Sequence, residues 1–559
     1  MKKLLGPMLY MTDSQSTDTW TFSVNLYLSG TDPTKPPGLQ LNFLDTQGRD
    51  LAGSEVSGPE LAADFSGLKS PMAGVLWKWH VSLRRDTVPT RVGYRFVAVD
   101  GAPSLEGVDD VKGVLVPERG GLPRAAFFSC NGGGSAEAWK KVSKMGRPFG
   151  CWDDMKYQHL STTEGFHLLV GGGDQVYADS IWYASKELER FHKLPLAEKL
   201  RDRKLPDGCH DEMVARYVEL YCERWSGDAG IAPMLALVPG LFTWDDHDIF
   251  DGWGSHEELQ EHPWYQTLYS AAALTYEAFQ LGGLKTPSKT PVQRKPGETH
   301  YLHTVRFTGD ECDLDVVMLD LRSGRTSRKR GNTEKVEHVV MSDAQWAELD
   351  AWRGEHRAAD ETGIKNRHVV VVSSVPLVHL RFGPATEHVA GLVDLRDDML
   401  DQWESIVHRG ERTRLIMDLF KLARESCCAV TVISGDVHVG ARGLIRSRNP
   451  EHLFPGLAEA TIEQVTSSAI VHPPPGMLEF LGMRTLAGEG VEDLPSFMQT
   501  ELLPVGADHY LRERNWLSFS VKRPTGATSR PKLWLRWEAE HTPLSMQVVV
   551  EPPPLPRSS

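Results

Sequence analysis

Six short apolar runs constrain this chain more than any other feature: Ala125–Ser129, Phe166–Val170, Gly240–Trp244, Leu314–Leu319, His368–Val372 and Ala429–Ile433. Most are continuous rather than alternating, and longer stretches of helical pattern separate them. A strand that is apolar on both faces must be covered on both, as inner strands of a layered α/β fold are. Each run ends in or leads into Gly, Asp, Ser, Cys or His. In layered α/β folds ligands sit outside strand ends, so the chemistry of this chain is expected there.

The residues before Arg124 read differently. Trp20, Phe22, Val24, Leu26 and Leu28 alternate with polar residues, the period of a half-buried strand. Val75, Trp77, Trp79, Val81 and Leu83 form a second run, and Val92 to Val99 a third. Turn-rich segments lie between them, such as Asp32 to Gly38 with its three prolines. This spacing predicts an N-terminal β-sandwich over 1–122 and an α/β domain over 123–559. The first stretch holds no cluster of chemically competent groups. Within the second, Ser185 to Arg224 reads as a helical insertion rich in charged and aromatic residues. Ser342 to His356 reads as a helix opened by a capping box of Ser342 and Gln345. Leu281 to Thr299, rich in Gly, Pro, Lys and Thr, reads as an exposed loop. Trp516–Val521, Lys532–Trp537 and Ser545–Val550 return to strand, and Pro552 to Pro556 to a frayed end.

A length of 559 residues fits such a division, or one large core with insertions. The formal net charge of -14 makes a nucleic-acid partner a poor expectation, since that needs clustered Lys and Arg. A small anionic substrate remains compatible, because bound metals invert the sign of a local field. Seven cysteines without a CxxC pair argue against a disulfide framework or a structural zinc site, and suit a reducing compartment. Met1 to Met11 carries two lysines and a short apolar stretch broken by Pro7. That lacks the long apolar region and small-residue cleavage site of a signal peptide, so a cytoplasmic location is expected. No apolar run is long enough to span a bilayer. Nothing in the sequence speaks to oligomeric state.

Five motifs carry the chemistry. Gly173-Asp174-Gln175-Val176-Tyr177-Ala178-Asp179 completes a glycine triplet, which lets the backbone turn sharply beside a ligand. A carboxylate straight after such a turn can bridge two cations; taken alone, Asp174 also reads as a helix cap. One turn of helix would bring the Tyr177 phenol beside the same place. In Trp244-Asp245-Asp246-His247-Asp248, three carboxylates around one histidine repel unless a cation or an Arg neutralises them. In Ser434-Gly435-Asp436-Val437-His438-Val439-Gly440, Asp436 and His438 would share a face of an extended segment, a two-ligand metal module. In Ser129-Cys130-Asn131, Cys130 reads as an inert buried thiol, a thiolate ligand or a nucleophile. In Asp320-Leu321-Arg322-Ser323-Gly324-Arg325, Arg322 either grips phosphate oxygens in a bidentate fork or pairs with a neighbouring acid. Ser373, Ser374 and His379 form a weaker sixth group. There is no GxSxG elbow, HExxH helix, Walker A loop or GxGxxG turn.

Together these motifs resemble the PhoD-like family of alkaline phosphatases and phosphodiesterases, a branch of the calcineurin-like metallophosphoesterases. Ser129–Asn131, Gly173–Asp179, Trp244–Asp248, Asp320–Arg325 and Ser434–Gly440 carry the resemblance, and Met341–Trp352 is similar to a family helix bearing a Gln and a Trp. It covers Arg124 to Val439. It implies an αββα metallophosphatase sandwich preceded by an immunoglobulin-like β-domain. It implies ferric iron with tyrosine ligation and calcium alongside, other divalent metals being alternatives. Carried onto this chain, Cys130, Asp174, Tyr177 and Asp436 or His438 look like iron ligands, with Asp174 bridging to a second metal. Asp246 stands where the superfamily has an Asn ligand, His247 where it has the catalytic His, and Arg322 where the family has a phosphate-facing Arg. Asp248 joins His247 and Arg322 in the expected catalytic group. Two departures are visible: there is no N-terminal twin-arginine signal, and Asn131 stands where many members have Gln. The implied reaction is hydrolysis of a small phosphate ester by metal-bound hydroxide. The alternatives are phosphodiesterase or phospholipase D-like activity on the same site, a non-catalytic phosphate-binding protein, and a hydrolase using Cys130.

Overall fold

A computed structural model describes residues 1–12, 14–99, 105, 110–161, 164–256, 258–284, 294–326, 338–356, 365–379, 402–486, 490–524, 529–542 and 546–553. Two large sheets dominate, one of ten strands and one of nine, with a third of three strands. In the first, Ala125–Phe128, Leu168–Gly172 and Gly240–Thr243 lie parallel and adjacent. In the second, Cys312–Met318, Asn366–Ser373, Ala429–Ser434 and Ala460–Thr466 do the same.

The continuous apolar runs become strands covered on both faces. Phe127, Leu168, Val170 and Leu241 of the first sheet meet Val316, Val370, Val372 and Ile433 of the second in one core. The intervening residues turn outward. Phe128, Leu169 and Phe242 pack with residues of the helices Cys209–Arg224 and Pro263–Phe279. Val317, Val369, Val371, Val430 and Val432 pack with residues of Asp343–Glu355 and Arg409–Glu425. The layers run helix, sheet, sheet, helix, so the chain is α/β as expected. Burying a Val or Leu from both faces stabilises by roughly 1.5–3 kcal/mol per side chain, which is why period-2 alternation is absent from these strands.

The N-terminal strands extend this frame. Lys2–Met11 pairs parallel to Gly240–Thr243, with Tyr10 opposite Gly240, and antiparallel to Thr19–Ser29. Val75–Arg84 and Ser54–Asp64 follow outward. The small sheet of Leu39–Leu44, Thr90–Ala98 and Lys112–Val116 packs on them through Phe43 against Phe22 and Phe96 against Trp79. Lys2–Met11 and Gly240–Thr243 thus lie side by side in the ten-stranded sheet. At the opposite edge, Asn515–Lys522, Lys532–Ala539 and Gln547–Val550 add three antiparallel strands beside Ala125–Phe128.

Ser185 to Arg224 folds as the helices Lys186–Lys193, Leu196–Lys199 and Cys209–Arg224, the first capped by Ser185. Ser342 caps its helix by accepting from the Gln345 backbone N–H. The reciprocal half of the expected box does not form. The Gln345 amide instead accepts from Asp320 N at 3.0 Å and donates to Asp320 O at 2.9 Å, pinning the start of the Asp320–Arg325 motif. Residues 285–293 of the expected loop and 554–556 of the expected frayed end lie outside the described residues. The seven cysteines are buried and none is in a disulfide. Among the described residues no helix is long and apolar enough to cross a membrane.

Candidate metal centre and active site

Every candidate residue lies just beyond a parallel strand. The turn after Leu168–Gly172 needs its glycines for space as well as for torsion. A Cβ on Gly172 would stand 2.3 Å from the Phe127 ring, and one on Gly173, which has φ +109°, 2.7 Å from Asp245 Cβ. This close approach of two strand ends brings Asp174 against the Trp244–Asp248 turn. Ligating oxygens of Asp174, Asp245, Asp246 and Asp436 lie within 4.8 Å of one another, and so do ligating atoms of Asp174, Asp246 and His247. Asp174, Asp245 and Asp246 are buried, and Asp436 is half-buried.

Beside the carboxylates stands a ring-and-thiol group. Cys130 Sγ lies 3.5 Å from Asp174 Oδ2 and 3.0 Å from Ser468 Oγ. The Tyr177 hydroxyl lies 3.3 Å from His438 Nε2. The Tyr177 ring stacks on His247 at 4.4 Å, and His438 stacks on His472 at 3.7 Å. Cys130, Asp174, Tyr177, Asp436 and His438 all have φ between 51° and 67°. Left-handed backbone at a non-glycine residue costs about 1–3 kcal/mol and persists only where surroundings over-determine it. Five such residues at one site mark it as the place where this fold stores strain. Asp436 and His438 thus do not share a face of an extended segment as expected. Gly435 is wedged where a Cβ would stand 2.5 Å from Ser129, and the chain leaves the sheet there. Each side chain still reaches the centre, by a turn rather than a strand. Tyr177 likewise sits in a left-handed turn ahead of the short 3-10 helix Ala178–Tyr183 rather than on a helical turn.

His247 is held from one side. Its Nδ1 donates to Asp179, with both carboxylate oxygens at 3.0 Å, and Asp179 also accepts from Asp251 N at 2.7 Å. Burial works against a charged His247, but Asp179 and then Asp246 outweigh it and hold the imidazole pKa well above its usual value. Arg322 is fully buried. Its guanidinium grips Asp245 through Nε and Asp246 through Nη2 at 3.2 Å, and donates to Trp253 O at 3.0 Å. Of the two readings the sequence left open, the pairing with neighbouring acids is the one the side chain adopts. Asp248, expected in the catalytic group, directs its oxygens to the backbone N–H groups of Gln175, Val176 and Asp245, and accepts from Gln280. Burial pushes its pKa up to about 7. The Ser373–Ser374 group contributes a hydroxyl, Ser374 Oγ donating to Asp245 at 3.0 Å.

The donor set fits a cation. Burial, and after it the charges of Asp246, Asp245 and Asp248, holds the Asp174 pKa well above the usual carboxylate range despite the opposing pull of His247. Asp174 Oδ1 is fully buried with no hydrogen-bond partner. An orphaned carboxylate oxygen aimed into a cluster of acids is costly unless a cation completes it. Burial also raises the pKa of Cys130 and Tyr177 and lowers that of His438. A neutral His438 imidazole is the ligating form, whereas the thiol and phenol need a cation to draw off their protons.

The sequence model of the family described as PhoD related phosphatase matches residues 124–329 and 367–486, more than half of the chain. The chain belongs to the PhoD-related phosphatase family. The matched segments carry Cys130, Asp174, Tyr177, Asp246, His247 and Arg322 in the first, and Asp436, His438 and His472 in the second. An uncharacterized protein of Saccharomyces cerevisiae, YGR266W, is 22% identical over 374 residues, 58% of this chain and 51% of that protein. The chain spans about half the length of this relative. No solved structure matches the chain with significance.

Within this member of the PhoD-related phosphatase family, four site residues carry roles that sequence reasoning did not assign. Asp245 joins the carboxylate cluster, Asp179 orients His247, His472 stacks on His438, and Gln402 donates to Asp436 Oδ2 at 2.7 Å. Asp179 and Asp245 stand inside motifs already singled out, so proximity in the sequence could have flagged them. His472 and Gln402 arrive from segments with no local signal at all.

Proposed function

We propose that this chain hydrolyses phosphate esters at a two-cation centre built around Asp174. The observation that carries the reading is the convergence of four aspartates from three strand ends, with one Asp174 oxygen buried and unpartnered. The helix-sheet-sheet-helix layering and the family membership support an αββα metallophosphoesterase-type sandwich. Cys130, Tyr177, His438 and Asp436 would hold one cation together with Asp174; the phenol favours ferric iron there. Asp245, Asp246 and the other Asp174 oxygen would hold the second, and an all-carboxylate set suits calcium or another hard divalent ion. Bound cations at such a site neutralise phosphate oxygens and make a water acidic enough to attack near neutral pH.

The chain's own groups do the rest. Asp179 fixes the Nδ1–H of His247, which leaves Nε2 as the atom that hands a proton to the departing alkoxide. Arg322 is a positioning residue: it holds Asp245 and Asp246 in register and offsets their mutual repulsion. Asp248 is another, tying the Asp174–Val176 turn to the Asp245 turn through backbone amides. A phosphomonoester and a phosphodiester both fit this chemistry.

Elemental analysis of the purified protein, with a visible spectrum and turnover of p-nitrophenyl phosphate and bis(p-nitrophenyl) phosphate, tests the reading. Bound metal, an iron–phenolate band lost in Tyr177→Phe, and turnover abolished by chelation are expected. Turnover that survives full metal removal would sink it, and inactivation by thiol alkylation without metal loss would favour a Cys130 nucleophile.

A further inference from the structure

A cavity of about 740 Å³ opens directly beside the centre and shares Tyr177 and Asp179 with it. The helical insertion between Ser185 and Arg224 supplies one part of its wall, through His192, Lys199, Arg216 and Arg224. Trp139 and Tyr183 supply flat apolar surface, and Tyr183 is 60% exposed, unusual for so large a ring, whereas Trp182 is 5% exposed with His192 stacked on it at 5.1 Å. Lys199, Arg216 and Arg224 supply positive charge. Asp251, His192 and His256 also face the cavity.

The cations differ in how they are satisfied. Arg216 is paired with Glu219 and Glu223. Among the described residues neither Lys199 nor Arg224 has a carboxylate at ion-pair distance. Arg224 stacks over Trp139 at 4.1 Å, and its Nε is buried with no hydrogen-bond partner. Both residues are half-buried. Half-buried cations without a carboxylate in direct contact are costly structure, and a wall that keeps two of them beside a cleft is suited to an anion.

We propose that this cavity receives the alcohol part of the ester, and that this alcohol carries an aromatic or similarly flat portion and a second anionic group, a phosphate or a carboxylate, held by Arg224 and Lys199. The inference rests on the hydrolase reading above and deepens it by naming a substrate class. The flat portion lies against Trp139 and Tyr183, where stacking supplies affinity without hydrogen-bond readout. The second anion makes its charge-assisted bonds to guanidinium and ammonium, with the Arg fork favouring a planar or tetrahedral oxyanion.

The test uses the metal-loaded full chain and phosphonates, whose carbon–phosphorus bond survives hydrolysis. Calorimetric affinities are compared for phenylphosphonate with 4-phosphonobenzoate, and for biphenyl-4-phosphonate with its 4′-carboxylate, so that two reaches are sampled. At least one carboxylated ligand is expected to bind about tenfold or more tightly than its uncharged counterpart. Arg224→Gln and Lys199→Met should each remove most of that preference while leaving phenylphosphonate affinity and p-nitrophenyl phosphate turnover unchanged. Equal affinity within both pairs, or a preference intact in both variants, overturns the inference. Absent turnover of p-nitrophenyl phosphate by the metal-loaded wild type counts instead against the hydrolase reading, because the affinity comparison needs no turnover.

Discussion

The carboxylate of Asp179 faces the Nδ1 of His247 with both oxygens at 3.0 Å, while the opposite face of the imidazole lies against the Tyr177 ring. A ring gripped at one nitrogen and stacked on one face has little freedom left, so Nε2 has a fixed direction. Asp179→Asn should leave bound metal unchanged and lower kcat by about 10- to 100-fold, at or below the low end of the roughly 10²–10⁴-fold that a positioned acid or base contributes. The loss should grow as the leaving group becomes more basic. His247→Ala should lose about 10²–10⁴-fold on poor leaving groups. Comparing phenyl with p-nitrophenyl phosphate for both variants checks this; equal losses on the two substrates would argue that the pair only shapes the pocket.

Asp174 differs from this pair in belonging to the carboxylate cluster itself. Its orphaned oxygen places it between the Cys130 and Asp246 sides of the centre. Asp174→Asn should lose metal and activity together, whereas Asp246→Asn should retain the ion on the Cys130 side. Metal stoichiometry by elemental analysis decides the matter. An Asp174→Asn protein with full metal content would remove the bridge from the mechanism.

Arg322 shows why a motif alone does not assign a role. The sequence allowed a phosphate clamp or an internal ion pair, and only the fold brings Asp245 and Asp246 to its guanidinium. Removing one partner of a buried ion pair leaves uncompensated charge and costs roughly 3–5 kcal/mol. Arg322→Met should therefore lower thermal stability and weaken metal retention. The inhibition constant for vanadate in metal-saturated protein should hold within about threefold, since each tenfold in affinity is ~1.4 kcal/mol and no direct contact is lost. A large loss of vanadate affinity at unchanged stability would return Arg322 to the phosphate.

Much of this architecture is legible in the sequence, for identifiable reasons. The strands ending at Phe128, Gly172 and Thr243 announce themselves because burial on both faces leaves no polar positions to interrupt the run. The turns after them announce themselves because crowded acids repel and a fold avoids them unless a cation or an Arg offsets the charge. Thr19–Ser29, Val75–Arg84 and Thr90–Ala98 are legible one by one, but Lys2–Met11 and its docking onto Gly240–Thr243 are not, since the register that sets Tyr10 opposite Gly240 is a tertiary fact. His472 has the same origin. It follows a strand end, precedes a run of prolines and finds His438 only once the sheet has formed. Asp436 and His438 were readable as a pair of ligands but not as left-handed residues, because nothing local to Ser434–Gly440 reveals that Ser129 blocks the extended path.

Gly134 gives a sharper test of how tightly the centre is packed. A Cβ added there would stand 2.9 Å from His247 Cε1 and 3.3 Å from Asp179 Oδ2. One of the two must move. Gly134→Ala should lower kcat by about tenfold while metal content stays intact, in keeping with the cost of small misplacements at a reacting centre. Gly146→Ala, with nothing within 4 Å of the added carbon, is the control and should be neutral.

Stability should fall in mild acid because of buried histidines outside the candidate metal centre. Burial pulls the pKa of His167 down to about 3, with nearby His159 and Arg85 adding to the effect, and burial likewise holds His379 at about 3. His167 Nδ1 accepts from Arg124 N at 3.0 Å, a bond that protonation there would break. Both residues have folded pKa values below the unfolded value near 6.5, so between about 3 and 6.5 the unfolded chain binds more protons than the folded one. The stability they confer is complete above that window and is lost as pH falls through it. His167→Gln keeps an acceptor for Arg124 N but does not titrate. Its unfolding free energy should therefore depend on pH less steeply than that of the parent between pH 6 and 4, by up to about 1.4 kcal/mol per pH unit for one proton. Urea unfolding at several pH values measures both slopes, and parallel slopes would mean that His167 is already protonated in the folded chain.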